Sequence, residues 1–133
     1  MEISKLEASQ KGVMSLAYLG DAVYELLVRE HFMADKNFRP NKLNEYARRF
    51  VTANAQAKAV EHIELTKEEA DIFRRARNSK PQSVPRNTEI GVYKTATALE
   101  AVFGYLHLSG QNDRIHTLFG QILSAIEEKK DGE

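Results

Sequence analysis

Asp21 and Glu100 are each a carboxylate set into an otherwise apolar helical stretch with a glycine close by. Asp21 follows Gly20 in the run Leu16-Ala-Tyr-Leu-Gly-Asp-Ala-Val-Tyr-Glu. Aspartate is a poor helix-interior residue, because its short side chain competes for backbone hydrogen bonds. Gly20 beside it costs about 1 kcal/mol more than alanine would. Two locally unfavourable residues side by side point to chemistry or close packing, not to helix stability. Glu100 lies among Ala96, Ala98, Leu99, Ala101, Val102 and Phe103, with Gly104 one turn further on the same face. If the two helices pack together, the carboxylates meet at one site. A buried pair of this kind requires a cation or a proton. Mg²⁺ suits it, since it takes hard oxygen ligands and often uses only one or two carboxylates. Glu25, one turn after Asp21, is a candidate outer-shell ligand and equally a surface residue. Taken singly, each acid is also explained as an exposed residue paired with lysine or arginine.

A second feature is electrostatic. The segment Glu61–Asp71 is acidic, carrying Glu61, Glu64, Glu68, Glu69 and Asp71 against Lys67. The segment that follows is basic, with Arg74, Arg75, Arg77, Lys80, Arg86 and Lys94 against Glu89. Its middle, residues 78–89, is a long polar loop with two prolines, where Asn78, Asn87 and Thr88 add hydrogen-bonding groups. A loop of that length inside a domain is more often functional than idle. Such donors suit phosphate and sugar contacts, which position a nucleic acid without reading its sequence. The loop has no aromatic for stacking single-stranded bases, so contact with a duplex backbone fits better. The plainer reading is a solvated helix face.

Other chemistries find less support. His31, His62, His107 and His116 show no i, i+4 pair, and with no cysteine a zinc centre is not expected. No glycine-rich phosphate loop is present. Tyr18, Tyr24, Tyr93 and Tyr105 read as packing residues.

The elements that must position these groups are helical throughout. The spacing predicts a helix over 13–28, with Leu16, Leu19, Val23, Leu26 and Leu27 available to a core. Pro40 opens a second helix, expected over about 41–62. Thr66 and Glu69 form a capping-box pattern. The helix it opens, about 67–77, shows Ala70, Phe73 and Ala76 on one side. A strongly apolar helix over 91–108 is stopped by Gly110. Asn112 is expected to cap a last helix carrying Ile115, Leu118, Phe119, Ile122 and Ile126. The reading is an all-α fold of about five to seven helices, one domain over 1–133, with 129–133 as a solvated tail.

Composition sets wide bounds. A hydrophobic fraction of 42% and a charged fraction of 29% are ordinary for a soluble globular protein. Nineteen basic and nineteen acidic residues cancel, so only the distribution of charge can speak for a polyanionic partner. The absence of cysteine fits a reducing cytoplasm. No membrane span or signal-peptide core is expected.

The stretch Leu16–Glu25 resembles the catalytic helix of the ribonuclease III family, whose hallmark contains Leu-Gly-Asp. Thr95–Leu106 resembles that family's second acidic helix, here reading Leu-Glu-Ala-Val-Phe-Gly. The resemblance places Asp21 and Glu100 on the family's two central metal-binding carboxylates. Larger members carry a glutamate where this chain has Ala17 and an aspartate where it has Thr97. A further acid expected near Pro40–Lys42 is not found, and no double-stranded-RNA-binding domain is expected after Lys130. With the loop Arg77-Asn78 … Pro85-Arg86-Asn87-Thr88, this combination is similar to the Mini-III ribonucleases, which trim the ends of precursor 23S ribosomal RNA in bacteria. The resemblance implies a homodimer with one site per subunit facing a valley that holds duplex RNA. It implies Mg²⁺-dependent hydrolysis leaving a 5′-phosphate and a 3′-hydroxyl, with a ribosomal protein as a conceivable assistant. The basic residues Arg74, Arg75, Arg77, Asn78, Lys80, Arg86 and Lys94 would grip the duplex. The alternative is a non-catalytic all-α module that binds RNA or a protein, for which the reduced acid set argues. A third reading makes the apolar Asp21 helix a dimer interface.

Overall fold

In a computed structural model, residues 3–35, 39–81 and 83–131 are described. Among them the chain forms α1 (Lys5–Ser9), α2 (Val13–Asp35), α3 (Pro40–Val51), α4 (Ala53–Val60), α5 (Lys67–Asn78), α6 (Ile90–Leu108) and α7 (Asn112–Asp131). No strand is present among the described residues, so the fold is all-α with seven helices.

The arrangement is built around α6. From Ala96 to Leu106 every residue of this helix except Glu100 is buried. A helix that is apolar all round must be surrounded. Here α2 packs along it most extensively, with α5 and α4 on its other sides and α1 and α7 closing the remainder. Leu16, Tyr24 and Val28 from α2, Ile72 from α5 and Leu118 and Ile122 from α7 complete the core. Tyr24 makes edge contacts with Phe103 and Phe119, at centroid distances of 5.5 and 5.9 Å.

Several boundaries differ from the sequence reading, each for a local reason. The helix expected to end near Val28 runs on to Asp35, because no glycine or proline interrupts it and its last turns pack. There, Phe32 stacks near Phe50 and Tyr46, and His31 meets Glu127 at 3.2 Å. The single helix expected over 41–62 is two. Thr52 adopts an extended backbone and its hydroxyl accepts from the Ala55 N–H at 3.3 Å, ending α3 and capping α4. On α5 the buried residues are Glu69, Ile72 and Ala76, with Phe73 half-buried and Ala70 exposed, not the Ala70-Phe73-Ala76 face. Asn112 is the first residue of α7 and not its cap; the Gln111 carbonyl accepts the Ile115 N–H. The helix also continues to Asp131, through residues expected in the tail; residues 132–133 lie outside the described set.

Other expectations hold. Pro40 occupies the first turn of α3, where its missing N–H costs nothing. The Thr66–Glu69 capping box is reciprocal, with bonds of 3.0 and 3.2 Å. Glu69 is also clamped by Arg114 of α7, whose Nε and Nη2 donate to its two oxygens at 2.7 and 2.9 Å. This explains how a carboxylate sits in the core side of α5 without an orphan charge. Gly110, at φ 70°, ends α6: its N–H bonds to the His107 carbonyl and that of Gln111 to Leu106.

The contact that fixes the geometry lies between Gly20 and Gly104. A Cβ placed on Gly20 would lie 1.6 Å from the Glu100 carbonyl oxygen, and one on Gly104 would lie 2.0 Å from that of Leu16. The α2 and α6 backbones therefore touch directly where they cross. Neither obstacle is a side chain that can swing away. Gly104→Ala is expected to lower stability by about 3 kcal/mol or more. A urea titration measures this as a lowered midpoint at unchanged slope; a midpoint within error of the parent would contradict the close crossing.

Candidate active site

The glycine crossing brings Asp21 and Glu100 together. Gly20 meets the Glu100 backbone, so the side chain of the next residue, Asp21, emerges beside that of Glu100. Asp21 is exposed, whereas Glu100 is mostly buried. Burial pushes the Glu100 carboxyl up to about 8, the Asp21 charge pushes in the same direction, and a hydrogen bond from Gln56 works against both. One member of the pair thus faces solvent while the other is pressed from behind by the core.

Four further residues flank the pair. The buried Gln56 of α4 reaches the Glu100 Oε2 with its Nε2 at 3.4 Å. Tyr24, one turn beyond Asp21, donates its hydroxyl to the Phe50 carbonyl at 2.9 Å. Burial, and then the Glu100 charge, hold that phenol well above its ordinary value. Ala17 and Thr97, on the same helix faces as Asp21 and Glu100, are both buried and supply no carboxylate. Among the described residues no group of three or more His, Cys, Asp or Glu side chains converges. The donor set at the crossing is therefore two carboxylates, a number that suits a cation completing its shell with water and substrate oxygens.

The other predicted residues fall in distinct places. Glu25 is engaged with Arg29, whose Nη2 lies 2.7 Å from its Oε1 on the exposed side of α2. Arg74 pairs with Asp71 at 2.7 Å, and that guanidinium holds the Asp71 carboxyl below its ordinary value. Arg75 donates to the Ser9 carbonyl at 3.0 Å and approaches Asp71, which ties α5 to the end of α1. Arg77, Asn78, Lys80 and Arg86 are exposed along the end of α5 and the following loop, and Lys94 is half-buried on α6. Within that loop the Thr88 N–H bonds to the Pro85 carbonyl at 3.3 Å, with Asn87 at φ 66°. This is the backbone of a tight turn needing a left-handed third residue, and it places Arg86 at the turn's apex.

Gln56 escaped the sequence reading. Its signal is slight: one long polar side chain in the run Ala53-Asn-Ala-Gln-Ala-Lys-Ala, on a face otherwise made of small residues. Tyr24 was read as a packing residue and is one. Tyr18, read the same way, is 86% exposed, and Leu26, expected in the core, is 57% exposed. With Met14, Ala22 and Met33 they form an exposed apolar stripe along α2 that no other element covers among the described residues.

Comparison with known proteins bears on the family of the chain. Residues 14–111 match the Ribonuclease III domain. The Mini-ribonuclease 3 of Brevibacillus brevis is 41% identical over 114 residues, covering 84% of this chain and 85% of its own. That of Symbiobacterium thermophilum is 40% identical, covering 86% and 89%, and that of Staphylococcus aureus is 34% identical, covering 87% and 90%. A crystal structure of a protein from Fusobacterium nucleatum superposes with a TM-score of 0.77 at 30% identity, covering 86% of this chain and 94% of its own. Both segments that carried the resemblance, around Asp21 and Glu100, lie inside the matched domain. The non-catalytic reading gives way: the chain belongs to the ribonuclease III family and is a ribonuclease III-type endoribonuclease.

Proposed function

We propose that this chain hydrolyses double-stranded RNA with a divalent cation, Mg²⁺, held by Asp21 and Glu100. The observation that carries the proposal is the meeting of these two carboxylates at the Gly20–Gly104 crossing. Glu100 is destabilised as an anion by burial and by Asp21, and a cation between them removes both penalties. When bound, Mg²⁺ supplies a Lewis acid that offsets charge developing on a phosphodiester and makes a water nucleophilic near neutral pH. Asp21, the exposed member, faces the substrate side, while Glu100 is held in place by Gln56 and the core. Attack of water on phosphorus with rupture of the P–O3′ bond gives the 5′-phosphate and 3′-hydroxyl that the family resemblance implies.

The cations Arg77, Lys80, Arg86 and Lys94 have no recorded ion pair among the described residues, whereas Arg74 and Arg75 are occupied within the chain. They are the proposed grip on the phosphate backbone, suited to a duplex recognised by shape. Asn78, at the end of α5, adds an amide to the same edge. The exposed stripe Met14, Tyr18, Leu26 and Met33 supports a homodimer through α2, since apolar strips of this kind mark protein contacts. Asp21 falls at the margin of that stripe, so pairing would set the two sites along one shared surface. No helix among the described residues is long and apolar enough to cross a membrane. A cytoplasmic enzyme acting on the ends of precursor 23S ribosomal RNA, alone or with a ribosomal protein, is the natural extension of the resemblance to Mini-III ribonucleases.

Asp21→Asn should abolish Mg²⁺-dependent cleavage of duplex RNA in a gel assay while the circular dichroism spectrum stays that of the parent. Retained cleavage would refute the assignment.

The raised Glu100 value also sets the pH dependence. In the metal-free chain its folded-state value, about 8, exceeds the ordinary 4.5, so its contribution to stability is complete below about 4.5. That contribution is lost as pH rises through about 8, where the bare carboxylate must form. Mg²⁺ must displace this proton, so its Kd should rise about tenfold per pH unit on going below pH 8. Calorimetric titrations across that range measure it, and a flat profile would mean that Glu100 is no ligand.

Arg77→Glu combined with Lys80→Glu should weaken duplex binding and reduce the salt slope by about 1 per cation lost. Sedimentation should still show a dimer. An unchanged slope would place the grip elsewhere.

A further inference from the structure

We propose that Gln56 is a positioning residue for the metal site, holding Glu100 in the orientation that leaves one carboxylate oxygen available to the cation. This rests on the reading of Asp21 and Glu100 as the metal pair and adds to it a residue from a third helix. Gln56 is 2% exposed, although its α4 neighbours Asn54 and Lys58 are exposed. A buried primary amide without a partner is costly, so the burial of Gln56 points to a use for its amide. Among the described residues its one recorded side-chain partner is the Glu100 Oε2, at 3.4 Å. That is at the long end for a hydrogen bond.

The local structure fixes the amide in place. Thr52 caps α4 and sets where the helix begins, and Ala59, one turn beyond Gln56 on the buried side, lets α4 lie close against α6. The amide nitrogen engages Oε2 of Glu100, which leaves Oε1 outside that bond. A neutral donor suits this duty. It restrains the carboxylate without adding a charge that would either cancel the cation's attraction or increase the repulsion between the two acids. With alanine and threonine at positions 17 and 97 and Glu25 paired with Arg29, no third acid converges with the two carboxylates among the described residues. The orientation of the buried ligand then depends on what holds it. Groups that orient metal ligands by hydrogen bonding change metal affinity by about 10–100-fold when removed.

The test is calorimetric titration of the full chain with Mg²⁺, together with cleavage kinetics on duplex RNA across Mg²⁺ concentrations. Gln56→Leu keeps the volume and removes the donor, and Gln56→Asn keeps the amide but withdraws it by one methylene. Both should weaken Mg²⁺ binding about tenfold, with KM for RNA unchanged and turnover recovering as Mg²⁺ is raised. A merely structural role would lower the melting temperature and leave the Mg²⁺ affinity of the folded protein untouched. Should the leucine variant fail to fold, the asparagine variant carries the measurement. Parental Mg²⁺ affinity in the folded variants, with Asp21→Asn and Glu100→Gln inactive, overturns the role of Gln56 alone. Full cleavage by Asp21→Asn and Glu100→Gln overturns the metal-pair reading and this inference with it.

Discussion

The backbone contact between Gly20 and Gly104 is the constraint on which the rest of this structure depends. Helices normally stand about 8–10 Å apart because their side chains hold them off. Here the missing Cβ atoms let the carbonyl oxygens of Leu16 and Glu100 occupy the space that side chains would fill. The residues next to the contact are carried into proximity with little freedom. Asp21 and Glu100 are neighbours for that reason, and Glu100 lies close enough to the core for burial to dominate its proton affinity.

The cost of this arrangement is electrostatic, and two acids of the chain meet it differently. Glu69 is almost wholly buried, yet Arg114 satisfies both of its oxygens and the capping box uses one of them again. It is a closed structural ion pair that ties α5 to α7. Among the described residues Glu100 has no cationic partner of that kind. Its neighbours are a like charge and a weak amide donor, so no opposite charge offsets the anion. Groups whose proton affinity is displaced by burial and by a specific like-charged neighbour, at a surface opening, are more often functional than structural. The contrast between these two glutamates separates the site from the scaffold more clearly than burial alone does.

The basic surface shows a similar sorting. Six cations between Arg74 and Lys94 looked alike as a composition bias. Folding commits Arg74 to Asp71 and Arg75 to the Ser9 carbonyl. The cations around the loop have no such ion pair among the described residues. Asn87, which by residue type suggested a phosphate contact, supplies the left-handed backbone of the turn that presents Arg86. Within α2 the division runs between faces: Leu16, Tyr24 and Val28 are buried, while Tyr18 and Leu26 lie outside.

What the sequence determined by itself was local in origin. Hydrophobic period identified the longer helices, though not α1 or the break at Thr52, while Thr66 and Glu69 announced their own capping box and Gly110 its own termination. A glycine close to each carboxylate pointed to chemistry or close packing there. These features depend on interactions within a turn or two of helix, and such interactions are written in neighbouring residues. Tertiary structure decided what neighbouring residues cannot encode. The pairing of Asp21 with Glu100, expected from the motif, acquired its asymmetry of exposure only from the packing of α6 among α2, α4 and α5. Gln56 entered the site because α4 was broken off from α3 at Thr52 and laid against α6. Leu26 and Tyr18 were left outside because periodicity says which faces are apolar and not which of them another helix will cover.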